Sequence, residues 1–355
     1  MLDTHSGGRL QRSPGSRWPH PRSRLPDRWR RPPSRRYLRS LAAPSIQQPA
    51  STLTAQLDAM LTRYGFTTVV DTGSLLANTA AIRRRIASGD VSGPRILTAG
   101  VPLYPPEDIP YYLKDGSVPP DVLTLLPQPK TPEEAVRAVD ADLNGGSDII
   151  KLFTGSWVER GRVLPMPVEI ARAAAAEAHQ RGKLVFTHAS SVAGLEVALA
   201  AGVDVLAHAL DDTHDFKAEH LRRMRHRNMA LIPTLTLFGN DTNAAEIFAQ
   251  VRHYRQLGGQ ILFGTDVGYH QKYDPTREYE LMARAGLTWR DILASLTTTP
   301  AARFSESSRR GRVEVGMDAD LVVLARDPAV DVRALGDVRL TYRSGRALGS
   351  SRVLH

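Results

Sequence analysis

Four residues in this 355-residue chain combine side-chain types and positions that could do chemistry. Lys151 lies in Asp148-Ile-Ile-Lys-Leu-Phe, His188 in Val185-Phe-Thr-His-Ala, His208 in Val205-Leu-Ala-His and Asp266 in Phe263-Gly-Thr-Asp-Val-Gly. Each sits in, or at the carboxyl end of, a short apolar run of the kind that forms a buried strand. Two imidazoles, a carboxylate and a lysine meeting at one place suit one or two divalent cations. Taken singly, each is weak: a histidine in an apolar strand is more often a hydrogen-bonded core residue. A lysine inside a strand is odder, because burying an ammonium is costly. Carboxylation of Lys151 to a carbamate reverses that cost next to cations.

The elements that must position these residues alternate. A helix over 51–64 places Leu53, Leu57, Met60 and Leu61 on one face and stops at Gly65. Strands are expected over 67–70, 95–98, 148–153, 184–187, 203–208, 230–237 and 260–265. Helices are expected over 77–87, 132–144, 167–181, 191–201, 216–227, 241–257, 275–285 and 289–302. Thr131-Pro-Glu-Glu is a capping box with proline at the first helical position. Seven strands separated by helices argue for parallel pairing. One earlier strand, just before residue 51, completes a (β/α)8 barrel of the TIM type. In such a barrel the strand carboxyl ends open on one face, where active sites lie. The expected organisation is a head over 1–50, a barrel over 51–305 and a small β module over 306–355.

Composition limits the function classes. The chain has no cysteine, which removes disulfides, thiolate zinc sites and cysteine nucleophiles. No run approaches the roughly 18 apolar residues of a membrane-spanning helix. The formal net charge of +9 suggests nucleic acid until it is located. Residues 1–40 hold eleven arginines and no lysine against Asp3 and Asp27, so the head carries the whole excess and the body is neutral. The head lacks apolar periodicity, and disorder is expected there. Three readings of it stand: a basic arm, a targeting peptide, or GC-rich DNA translated in a wrong frame or from a wrong start. The arginine bias without lysine favours the third. A small-molecule substrate, no nucleic-acid or membrane partner and a cytoplasmic location are expected. Self-association is left open.

Other residues carry weaker readings. Residues 101–130, rich in proline, form a long loop in which Tyr104, Tyr111 and Tyr112 either line the substrate pocket or cover barrel hydrophobics. His270, in the loop after the last barrel strand, is a candidate substrate contact. Asp71 is either a turn-fixing residue or a site residue. His214, His220, His226 and His253 are read as solvated, and His179 as a helix-end residue.

The ordered set Lys151, His188, His208 and Asp266, together with the tail Gly311-Arg-Val-Glu-Val-Gly-Met-Asp-Ala-Asp-Leu-Val-Val-Leu, resembles the metal-dependent amidohydrolase superfamily, in its imidazolonepropionase-like and Xaa-Pro-dipeptidase-like branch. The resemblance runs from about residue 51 to the end. It implies a carboxylated Lys151 bridging two metals, His188 and His208 on the second metal, and Asp266 on the first metal and shuttling a proton. It implies hydrolysis of a C–N bond, in a non-peptide amide or a dipeptide, by metal-activated hydroxide, with zinc as the expected ion. It also implies a first strand ending in His-x-His, and no His-x-His occurs in this sequence. The early strands of a β-sandwich are missing as well, leaving only its C-terminal part. Only one metal is then well supported by the residues, and the alternative is a non-catalytic barrel that keeps part of the site.

Overall fold

The computed structural model describes residues 47–348 except Ser117 and Gln271. The arginine-rich head, with the expectations attached to it, lies outside the described residues up to Ile46.

The helices begin where the local chemistry demands. Helix α1 (Ala50–Met60) buries Leu53 and Leu57, and a 3-10 turn ends at Gly65, whose φ of 86° suits glycine. Strand β1 (Thr68–Asp71), helix α2 (Leu76–Ala87) and strand β2 (Arg95–Thr98) follow. Helix α3 (Pro132–Asn144) starts with the Thr131 hydroxyl accepting from Glu134 N–H and buries Ala135, Val139 and Leu143 at four-residue spacing. After β3 (Ile150–Phe153), strands β4 (Gly155–Glu159) and β5 (Arg162–Pro165) form an antiparallel hairpin that the sequence reading missed. The available signal was Gly161, at φ 79°, in a two-residue turn.

The alternation resumes with α4 (Val168–Gln180), β6 (Val185–His188), α5 (Val192–Ala201), β7 (Val205–Ala207), α6 (Ala218–His226) and β8 (Ala230–Ile232). The strand expected over 230–237 ends at Ile232. Pro233 cannot donate to a ladder, and Thr234 turns left-handed into the one-turn helix α7 (Leu235–Phe238). Helices α8 (Ala244–Gln256), α9 (Thr276–Arg284), α10 (Trp289–Leu296) and α11 (Thr298–Arg303) follow. The single helix expected over 289–302 is broken at Thr297, whose φ of −130° is not helical.

The strands make a TIM-like barrel. β1 pairs with β2, and β3, β6, β7 and β8 pair in that order, all in parallel. Backbone bonds from Asp148 and Ile149 N–H to the Thr98 carbonyl tie β2 to β3. The last position, expected as a strand over 260–265, holds only a parallel bridge between Leu231 and Ile261. Inside, Val70, Ala99, Ile149, Phe186, Val205, Ala230 and Leu262 form one cluster, with one residue from each of the seven strand positions. Alternate residues such as Ile150, Leu152, Leu206 and Leu231 point outward and pack in the larger cluster with the helices.

Between β1 and residues 262–268 lies a cavity of about 1490 Å³, bounded also by Leu53, Leu57 and Leu61. Among the described residues, β1 pairs only with β2. The strand expected just before residue 51 falls on residues that, up to Ile46, lie outside the described ones. A three-stranded antiparallel sheet, β9 (Leu321–Leu324), β10 (Val338–Arg343) and β11 (Arg346–Leu348), closes the chain.

Candidate metal centre

Strand parity carries side chains to the barrel mouth. In β3, Ile149, Lys151 and Phe153 share the inner face. In β6 the same holds for Leu184, Phe186 and His188, and at the last position for Leu262, Gly264 and Asp266. β3 and β6 pair in register, so Lys151 stands beside Phe186 and Phe153 beside His188. Lys151 is thus one layer deeper than the other candidates.

An aromatic ladder crosses the mouth. Tyr104 stacks on Phe153 (centroids 4.6 Å apart), Phe153 stacks on His188 (5.0 Å), and His188 meets His208 edge-on (5.3 Å, 75°). His208 follows β7 across a cis peptide bond from Ala207. Its Nδ1 shares a hydrogen bond of 2.6 Å with the Thr234 hydroxyl, and its Nε2 lies 4.0 Å from Asp266 Oδ2. Asp266 itself has φ 58°, a left-handed conformation that aspartate tolerates better than most residues.

Electrostatics couples the two charged candidates. Lys151 is only 4% exposed, and burial pulls its ammonium down to about 8, while the Asp266 carboxylate pulls the other way. Burial raises the Asp266 carboxyl, and Lys151 and His270 oppose that rise. The Lys151 Nζ also lies 5.7 Å from the Phe153 ring centroid.

Lys151, His188, His208 and Asp266 come together at one end of the barrel. Two ligand atoms about 2.1 Å from one ion are about 3.4 Å apart at a tetrahedral angle and at most about 4.2 Å apart. The His208–Asp266 separation of 4.0 Å therefore fits a shared ion at a wide angle. Among the described residues, no three His, Asp or Glu side chains form a closed ligand cluster. Among the four candidates, His208 and Asp266 are thus the one pair within the span of a shared ion, and Lys151 is a ligand only when its amine is not charged.

Tyr112 faces this centre: burial raises its phenol, and Tyr269, Tyr104, Asp266 and Asp211 add to the rise. It meets Tyr269 edge-on at 5.9 Å and Tyr111 at 5.8 Å. Tyr104 is buried behind Phe153, and Tyr111 lies under Arg160 at 5.9 Å. Both His270 nitrogens serve its own loop. Nε2 donates to the Thr265 carbonyl (2.7 Å), and Nδ1 accepts from Lys272 N–H (3.2 Å). Asp71 accepts from Gly73 N–H and from the hydroxyls of Ser74, Thr79 and Thr98, so it fixes the turn after β1. His220 is not simply solvated: its Nδ1 accepts from Lys217 N–H at the start of α6.

Sequence reasoning missed Phe153, Thr234 and the pair in which Trp157 Nε1 donates to the buried Asp211 carboxylate at 2.9 Å. Phe153 was legible as the next inward residue after Lys151. Thr234 and Asp211 follow strand ends and carried no periodic signal.

The model of the amidohydrolase family matches residues 40–348. A candidate prolidase from Bifidobacterium longum is 29% identical, with 85% of this chain and 78% of that chain covered and a TM-score of 0.70. A Xaa-Pro dipeptidase crystallised with bound methionine is 22% identical over 83% of this chain and 77% of that chain, also with a TM-score of 0.70. An uncharacterized protein of Mycobacterium tuberculosis H37Rv is 27% identical over 241 residues, 60% of this chain. This chain spans 61% of the length of the curated relatives it matches. The inward order of lysine, two histidines and aspartate, the parallel barrel and the match over most of the length lead to one assignment: the chain belongs to the amidohydrolase family.

Proposed function

We propose that this chain is a metal-dependent hydrolase of a C–N bond in a small molecule, either a non-peptide amide or a dipeptide. One observation carries the reading. Lys151, His188, His208 and Asp266 come from four separate strand positions and converge on one mouth, with His208 Nε2 and Asp266 Oδ2 4.0 Å apart. The similarity to a candidate prolidase supports a dipeptide or an N-acyl amino acid as the substrate class.

His188, His208 and Asp266 would hold the cation, and Lys151 would join them once carboxylated. A divalent ion bound there, with zinc the ion the resemblance implies, would supply Lewis acidity toward a carbonyl oxygen and the attacking water. Asp266 accepts the proton from the attacking water and returns it to the leaving nitrogen. Thr234 holds the His208 ring through Nδ1. Tyr112 forms the apolar side of the substrate pocket, Tyr104 backs Phe153 behind it, Tyr111 borders it, and the His270 loop closes the edge beside Asp266. We assign residues 51–305 to the catalytic barrel and 306–355 to the accessory β module, with a cytoplasmic setting and no nucleic-acid or membrane partner.

One observation favours a second reading. The sequence contains no His-x-His, the pair that the resemblance puts at the end of the first strand. A chain lacking that pair holds one ion rather than two, and a non-catalytic barrel follows if that ion supports no turnover. The test screens N-acyl amino acids, dipeptides and cyclic ureides with added Zn²⁺ or Mn²⁺, alongside metal analysis. Hydrolysis that is lost in both His188→Ala and Asp266→Asn supports the hydrolase. Tight binding of an ion with no turnover of any substrate supports the second reading. Two tightly held ions per chain contradict the one-ion expectation.

A further inference from the structure

Glu278 is a carboxylate on the buried face of α9, with a relative exposure of 0%. It stands among Tyr279, Leu281 and Met282, where an amphipathic helix normally places an apolar residue. Its Oε1 accepts from Leu235 N–H (2.7 Å), and its Oε2 accepts from Thr236 N–H (2.6 Å) and the Thr236 hydroxyl (2.5 Å). These donors directly follow Thr234, which is itself fully buried and held at φ 50°, ψ 49°. A β-branched residue in the left-handed region is a true outlier that persists only when its surroundings fix it. The Thr234 hydroxyl is the partner of His208 Nδ1.

We propose that Glu278 is a positioning residue for the metal centre: it locks the Thr234–Thr236 turn so that Thr234 holds His208 with Nε2 turned toward Asp266. The inference rests on the reading of His208 as a metal ligand. In the tautomer whose Nδ1–H donates to Thr234, the His208 lone pair is on Nε2, the atom 4.0 Å from Asp266. An ordinary core carboxylate would be expected to pair with a cation. Glu278 instead binds three donors of one turn, and that turn holds the histidine.

The test measures Co²⁺ affinity by titration of the full chain, together with the His208 ring tautomer by nitrogen NMR on the metal-free protein. Glu278→Gln places an amide NH₂ against backbone N–H donors. The expected result is a 10- to 100-fold loss of Co²⁺ affinity, the usual effect of removing an outer-shell partner. The His208 proton should also cease to reside on Nδ1 alone. Thr236→Val, which keeps two of the three donors, should give a smaller loss and serves if the first variant folds poorly. Leu281→Ala, on the same helix face, controls for stability and should lower the melting temperature with Co²⁺ affinity unchanged. Wild-type affinity and tautomer in Glu278→Gln, alongside weakened binding in His208→Ala, overturns the positioning role while sparing the ligand reading. Unchanged binding in His208→Ala overturns the ligand reading and takes this inference with it.

Discussion

Lys151 makes a prediction whose sign is opposite to most core substitutions. The ammonium is 4% exposed, and burial pulls its pKa from 10.5 to about 8. That depression corresponds to roughly 3 kcal/mol of destabilisation whenever the group is charged in the native state. Between pH 8 and 10.5 the unfolded chain binds the proton and the native chain does not. Stability therefore rises with pH across that window, and the cost is fully present below it. Lys151→Met keeps the length and removes the charge. In EDTA at pH 6.5 the variant should be more stable than wild type by about 2–3 kcal/mol, read from urea midpoints at equal m-values. The advantage should shrink above pH 8 and fall below about 1 kcal/mol by pH 10.5. Zinc with bicarbonate should reverse the ranking, because a carboxylated Lys151 becomes an anion beside imidazoles. A methionine variant no more stable than wild type at pH 6.5, with no pH trend, would refute the account of a buried, electrostatically costly lysine.

Further outcomes follow from the same structure. Burial pushes Glu278 and Asp142 up to about 7, so the native chain keeps protons that the unfolded chain loses above about pH 4; stability should fall as pH rises from there to about 7, and Glu278→Gln with Asp142→Asn should flatten the slope in pH-dependent melts. Asp71→Ala orphans four donors, including the buried Thr98 hydroxyl, and should cost about 2–4 kcal/mol in denaturant unfolding. A Cβ at Gly155 or Gly194 would meet the Ala189 carbonyl oxygen at 2.1 Å, so Gly194→Ala should displace the loop after His188. Circular dichroism melts should show the loss of stability, and ion titration the weaker metal binding.

Short apolar runs in the strands and 3.6-residue periodicity in the helices made most elements legible, because burial writes itself into the sequence. Helix α3 appears over the expected residues, since its capping threonine and N-terminal proline are local signals. The same runs made the four candidate ligands visible as polar residues within or at the ends of apolar strands. Where neighbours decide the conformation, the local signal misleads. Residues 260–265 are as apolar as any strand, yet among the described residues one side faces a cavity and only one bridge forms. Residues 230–237 read as one strand, but Pro233 and the Glu278 carboxylate turn the chain at Thr234.

By itself the sequence determined that a parallel α/β barrel forms, and that Lys151, His188 and Asp266 point into it. It does so because side-chain parity is fixed by the backbone and apolar burial selects the face. His208, three residues past the inward Val205, is not placed by parity. Only the tertiary structure decided which groups act on one another across the barrel. The stack of Phe153 on His188, the grip of Thr234 on His208 and the reach of Glu278 from α9 join residues up to tens of positions apart. Such contacts are set by how the layers pack, and no spacing along the chain encodes them.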